Sequence, residues 1–227
     1  MLKKLINTWW KALIKPQEIK AGEYSFRQML IVSFMLGVIY CAGKYPLVEN
    51  KTVTLLQSLY LMEFWVNTLW GGSAAVFMWL FTSQVGFYGI KKLGKTISYS
   101  QIEHLVFSSM IIWIIPLILT LVFGYRLLEL TPYFNYTSTL IPAALLASFM
   151  TYQIFRKALC FDLTESLLAS LLIVPVAYIL PKWFWSKITW ELAYLTYGMS
   201  LTVKSAVGIA FATLISWGCF RVRGGML

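Results

Sequence analysis

The stretch LYLMEFWVNTLWGGSAAVFMWLF, residues 59–81, contains one formally charged side chain, Glu63. A helix needs about 20 predominantly apolar residues to cross the hydrocarbon core of a bilayer. Lipid offers the backbone no hydrogen-bond partners, so a run of this kind satisfies itself as a helix. Five further runs of similar character lie at 28–47, 105–125, 138–155, 164–180 and 192–220. The sequence therefore predicts an all-α fold, a polytopic helical membrane bundle of five to six spans. The second and last runs are long enough to require tilt or an extension beyond the hydrocarbon. The fourth and fifth are short, and their tight charged connection predicts a helical hairpin.

Composition agrees with this class. Of 227 residues, 59% are hydrophobic, 17% aromatic and only 12% charged, against roughly 25% charged in a soluble domain. The net charge of +10 is carried mostly outside the apolar runs. Lysines and arginines that flank lipid-length segments point to an anionic lipid surface rather than to nucleic acid. Cys41, Cys160 and Cys219 show no paired spacing, so neither a disulfide framework nor a metal knuckle is expected. No cleavable signal peptide is expected, since no small-residue cleavage site follows the first basic and apolar residues.

Residues 1–20 are too polar to span and form a segment apart from the bundle at 21–227. Leu2, Leu5, Ile6, Trp9, Trp10, Leu13 and Ile14 recur at three-four spacing and make one helical face, with Lys3, Lys4, Lys11 and Lys15 off it. A Trp-bearing apolar face beside lysines suits a helix lying in the membrane interface, Trp9 and Trp10 in the headgroups and the lysines on anionic lipid. The alternative is a helix docked on the protein's own cytosolic face.

Basic residues set the orientation. Lys3, Lys4, Lys11, Lys15, Lys20, Arg27, Lys91, Lys92, Lys95, Arg156, Lys157, Arg221 and Arg223 fall on one side of a six-span arrangement. Lys44, Lys51, Arg126, Lys182 and Lys187 fall on the other. Thirteen against five places both termini in the cytoplasm, the side that an even number of spans requires them to share. Aromatic clusters at Tyr125, Tyr133, Phe134 and Tyr136, and at Trp183, Phe184, Trp185 and Trp190, sit where headgroup belts are expected.

Catalytic chemistry is sparse. The single histidine, His104, follows Glu103 at the predicted start of the third span, where Glu103 would complement the helix dipole and His104 would meet water. No metal, cofactor or phosphate loop is expected, and the chain reads as non-enzymatic. Gly71, Gly72 and Ala75, with Ser73 and Ala74 between them, are small residues that let helix backbones approach in lipid; Gly37, Gly43 and Gly208 suit the same role. Glu63, Asn67 one turn on, and Lys204 with Thr202 nearby are the intramembrane polar groups. An ion pair of Glu63 with Lys204 would relieve two burial costs, and snorkelling of each toward the outer headgroups is the alternative.

The cytosolic connection FYGIKKLGKTISYSQ, residues 87–101, resembles the linker of the bacterial branch of the Yip family, where a basic Gly-containing turn leads to a Ser-aromatic-Ser-Gln start of the third span. TYQIFRKALCFDLTESLLA, residues 151–169, is similar to that family's closing hairpin, and IKPQE at 14–18 looks like its lead-in to the first span. The long acidic amino terminus of eukaryotic members is missing and the last run extends their five-span pattern, so binding of small GTPases is not carried over. What the resemblance implies is a non-enzymatic subunit of a prokaryotic inner-membrane complex that assembles with other integral membrane proteins, an ATP-driven (ABC-type) exporter among them, or with itself. A small transporter or channel built on Glu63, Asn67 and Lys204 is the competing reading.

Overall fold

The computed structural model describes residues 2–15, 18, 22–48, 59–111, 149, 152–153, 156–157, 161–165, 167, 187–188, 191–192 and 194–224. Among them are helices and turns and no strand. Five helices carry the architecture: α1 (Leu2–Ile14), α2 (Phe26–Val48), α3 (Met62–Lys92), α4 (Tyr99–Ile111) and α5 (Leu201–Gly224). The predicted spans at 138–155 and 164–180, the outer aromatic clusters and Pro116, Pro142 and Pro175 fall almost wholly outside the described residues. Two helical segments, Phe64–Lys92 and Ala206–Gly224, are long and apolar enough to cross a membrane; Phe26–Ala42 is apolar but shorter.

Helix α3 is the axis of the array. Its antiparallel partner α2 places Phe26 against Trp79, Phe34 against Gly72, and Ala42 with Phe64. Small residues make this approach possible. A Cβ on Gly37 would fall 2.1 Å from the Gly71 carbonyl oxygen and 2.8 Å from Ala75 Cβ. One on Gly71 would fall 2.2 Å from Cys41 Sγ, and one on Gly72 would enter the Phe34 ring at 2.6 Å. Helix α5 runs parallel to α3, with Gly208 beside Trp70, Ala212 beside Phe77, and Gln84 Nε2 donating to the Cys219 carbonyl at 3.2 Å.

The boundaries of α3 and α5 differ from those read in the sequence, for local reasons. The second run, as read from the sequence, ends at residue 81, yet α3 continues through Thr82, Ser83 and Gln84 to Lys92. Ser83 returns its hydroxyl to the Trp79 carbonyl at 2.8 Å and Gln84 spends its amide on α5, so neither needs water. With 31 residues, α3 is about 46 Å long, well beyond a hydrocarbon core of about 30 Å. It stops at Gly94, whose φ of 77° closes the turn through Gly94 N–H to Lys91 O and Lys95 N–H to Ile90 O.

The last run begins later than its hydropathy suggested. Gly198, at φ 81°, breaks the chain between Leu192 and Leu201, and Ser200 starts α5 as a cap, accepting from the Val203 and Lys204 backbone N–H groups. Lys204, read from the sequence as an intramembrane polar group, thus sits in the first turn of α5.

Burial divides the two long helices. Of the apolar window in α3, 44% is buried, against 6% of that in α5. Helix α5 turns Ile209, Leu214, Trp217 and Phe220 outward.

Candidate functional site

The end of the array where α2 and α4 begin and α3 and α5 finish holds a buried polar cluster. Its centre is Glu103, which is 0% exposed. Arg223, near the end of α5, donates from Nε to Glu103 Oε1 at 2.6 Å and from a terminal nitrogen to Oε2 at 3.0 Å. The guanidinium also lies over the Phe26 ring at 4.0 Å, and Trp79 donates its indole N–H to the Glu103 carbonyl at 3.2 Å. One fork-shaped pair therefore ties α5 to α4, while its flanking rings tie in α2 and α3.

The expectation that Glu103 complements the dipole at the start of the helix and that His104 meets water is corrected here. Tyr99 opens the helix and Ser98 caps it, accepting from the Gln101 N–H at 3.2 Å, so Glu103 and His104 lie a turn further in. His104 is buried too. Its Nδ1 faces the Ser100 carbonyl at 2.7 Å and its Nε2 the Tyr24 carbonyl at 3.0 Å. A neutral ring donates to one of these; a doubly protonated ring donates to both. The Tyr99 hydroxyl is buried beside this cluster with no partner among the described residues. Burial, reinforced by the Glu103 charge, holds the Tyr99 phenol above its ordinary range.

Helix α1 docks on the same end. Thr8, fully buried, donates to the Tyr24 hydroxyl, which itself donates to the Lys4 carbonyl at 3.1 Å. Burial raises the Tyr24 phenol, against a smaller lowering from the Thr8 hydrogen bond. The ring of Tyr24 meets Phe107 edge-on at 5.1 Å and carries the Lys4 ammonium at 4.4 Å from its centre. Lys4 also donates to the Glu23 carbonyl, Lys11 pairs with the Glu23 carboxylate at 3.3 Å, and Lys15 pairs with Glu18 at 3.2 Å.

The residues assigned to the membrane surface therefore separate into two sets. Lys4, Lys11 and Lys15 have partners within the chain, and Leu5 and Trp9 lean on the core. Lys3 is exposed, and Ile6, Trp10 and Ile14 form an exposed apolar stripe, with Trp10 57% exposed. Helix α1 both docks on the protein and presents an exposed apolar face.

The other candidates lie at the opposite end. Glu63 falls in the first turn of α3, its side chain outside the described residues, and Asn67 is exposed one turn on. Lys204, exposed in the first turn of α5, shares that end because α3 and α5 are parallel. Tyr60 and Trp65, at the start of α3, and Tyr194 and Tyr197, just before α5, are exposed.

Sequence reasoning missed Arg223 as the partner of Glu103, having counted it only as tail charge. The available signal was an acidic residue at the head of one apolar run and two arginines, Arg221 and Arg223, at the end of another. Comparison with protein-family models, with curated proteins and with solved structures gives no match.

Proposed function

We propose that this chain is a non-enzymatic, six-span protein of a prokaryotic inner membrane, both termini cytoplasmic, that assembles laterally with other integral membrane proteins as the Yip resemblance implies. One observation carries the reading: four basic segments distant in sequence meet at a single end of the array. Arg223 of the tail reaches Glu103; Lys95 of the α3–α4 turn pairs with Glu165 at 2.9 Å and lies over Phe161, beyond exposed Arg156 and Lys157; α1 docks against Tyr24. Loops rich in Lys and Arg mark the cytoplasmic side of a membrane protein. The opposite end exposes tyrosines and tryptophan instead, the pattern of an interfacial belt.

The lateral surface would be the outer face of α5, where Leu214, Trp217 and Phe220 follow one another along a helix that leaves most of its circumference open. Lipid is as apolar as such a face, so association there relies on close contact of side chains rather than on a hydrophobic drive. The exporter is one partner of this kind. The transporter reading draws less support, since Asn67 and Lys204 both lie at the exposed surface.

Affinity purification of the tagged protein in mild detergent tests this. A stoichiometric integral membrane partner, lost when Trp217 and Leu214 become alanine, is the expected result. A lone, monodisperse protein that moves a solute across liposome membranes would replace this reading with the transporter.

A further inference from the structure

At the basic end, the turn joining α3 to α4 encloses an open cavity of about 410 Å³ lined by Phe87, Lys91, Lys95, Thr96, Ile97 and Ser98. The lining has two characters. Phe87 and Ile97 form an apolar wall that is continuous with the core cluster, while Lys91 and Lys95 stand at the rim with the Thr96 and Ser98 hydroxyls. Lys95 is partly neutralised by Glu165 at 2.9 Å. The Lys91 ammonium lies 5.9 Å from the centre of the Phe87 ring and has no carboxylate partner among the described residues. Ser98 uses its oxygen as an acceptor from Gln101, which leaves its own proton free to donate. Exposed Lys92, Arg156 and Lys157 add to the positive field.

We infer that this cavity is a binding site for the phosphate headgroup of an anionic phospholipid, with the phosphate at Lys91 and Ser98 and the glycerol and upper acyl chain against Phe87 and Ile97. A free phosphate would use the rim and ignore the wall. A zwitterionic lipid would use the wall but bring no net charge to the lysines. Only an anionic amphiphile matches both surfaces. The inference rests on the membrane reading above, since it needs the α3–α4 turn at headgroup depth.

The test uses the full-length protein, purified in detergent and stripped of lipid, with bound lipid counted by native mass spectrometry. Phosphatidylglycerol is titrated against phosphatidylcholine of the same acyl chains. Wild-type protein should retain phosphatidylglycerol preferentially. Lys91→Gln should weaken that retention about fivefold, the worth of one lysine at an anionic surface. Lys92→Gln removes the same charge one residue away, outside the cavity, and should weaken it less than about twofold. Equal losses from the two variants would reduce the effect to diffuse attraction and overturn the site. So would equal retention of the two lipids, or displacement of phosphatidylglycerol by inorganic phosphate at matched concentration. Alkaline carbonate washing of the source membranes keeps the two claims apart. Release of the protein sinks the membrane reading, whereas a protein that stays but shows no Lys91 effect sinks only the site.

Discussion

Arg223 and Glu103, 120 residues apart in sequence, form a two-point ion pair whose carboxylate is shut off from solvent and whose guanidinium is covered by Phe26. The pair closes the array: among the described residues the last helix is otherwise held mainly by α3, with the Phe220 ring against Phe26 of α2.

Breaking one half of such a pair leaves the other charged and buried, at a cost of about 3–5 kcal/mol. Arg223→Met and Glu103→Leu should each lower the thermal unfolding midpoint in detergent sharply. The double variant Arg223→Met, Glu103→Leu should recover most of the loss, since apolar residues of similar volume replace buried pairs at little net cost. Equal, additive losses across this cycle would show that the two side chains act separately.

The α2–α3 contact predicts an asymmetry among glycines. Alanine at Gly37 or Gly71 drives a methyl into backbone or sulfur, and the helices must separate, at about 1–3 kcal/mol. Gly89, in the same helix α3, has open space around its missing Cβ. Gly89→Ala should be neutral or stabilising by about 0.5–1 kcal/mol through helix propensity. Thermal unfolding of the three variants side by side checks the order.

Hydropathy alone made the all-α class legible, and the small-residue run at Gly71–Ala75 marked the surface where α2 now lies. Helix ends were harder. The second apolar run stops at Phe81, but Ser83 and Gln84 beyond it are satisfied by the preceding turn and by α5, and the second of these is a tertiary fact no local pattern contains. Gly198 and Ser200 were readable as a stop and a cap, and the apolar residues around them masked both. Glu103 was visible as a charge beside an apolar run. Its partner was not, because pairing over such a separation depends on the path of the chain between them.

Tyr99 offers a pH-dependent test. Its hydroxyl is buried without a partner among the described residues, so Tyr99→Phe removes an unsatisfied group and should stabilise by about 1–3 kcal/mol at neutral pH. The phenol is raised above its ordinary value of 10.0 in the folded chain, so the folded state holds this proton more tightly than the unfolded one. Its contribution is complete below pH 10.0 and is lost as pH rises from there toward the folded value. Wild-type stability should therefore fall more steeply than that of Tyr99→Phe above that pH. Parallel alkaline profiles would mean that Tyr99 ionises alike in both states.

His104 holds the segment between α1 and α2 through the Tyr24 carbonyl, and Thr8 holds α1 through the Tyr24 hydroxyl. Both contacts meet at one residue, so loosening either should free the same segment. His104→Ala removes this anchor on the buried Tyr24 carbonyl, at a cost of about 1–3 kcal/mol. Hydrogen exchange of residues 2–24 should then quicken by about tenfold or more, with α3 unchanged, since 1.4 kcal/mol is a tenfold change in the opening equilibrium. Thr8→Val keeps the volume but loses the hydroxyl, and should quicken the same residues to a smaller degree. Exchange that rises uniformly across α1, α3 and α4 in the His104 variant would instead make His104 a support of the whole array.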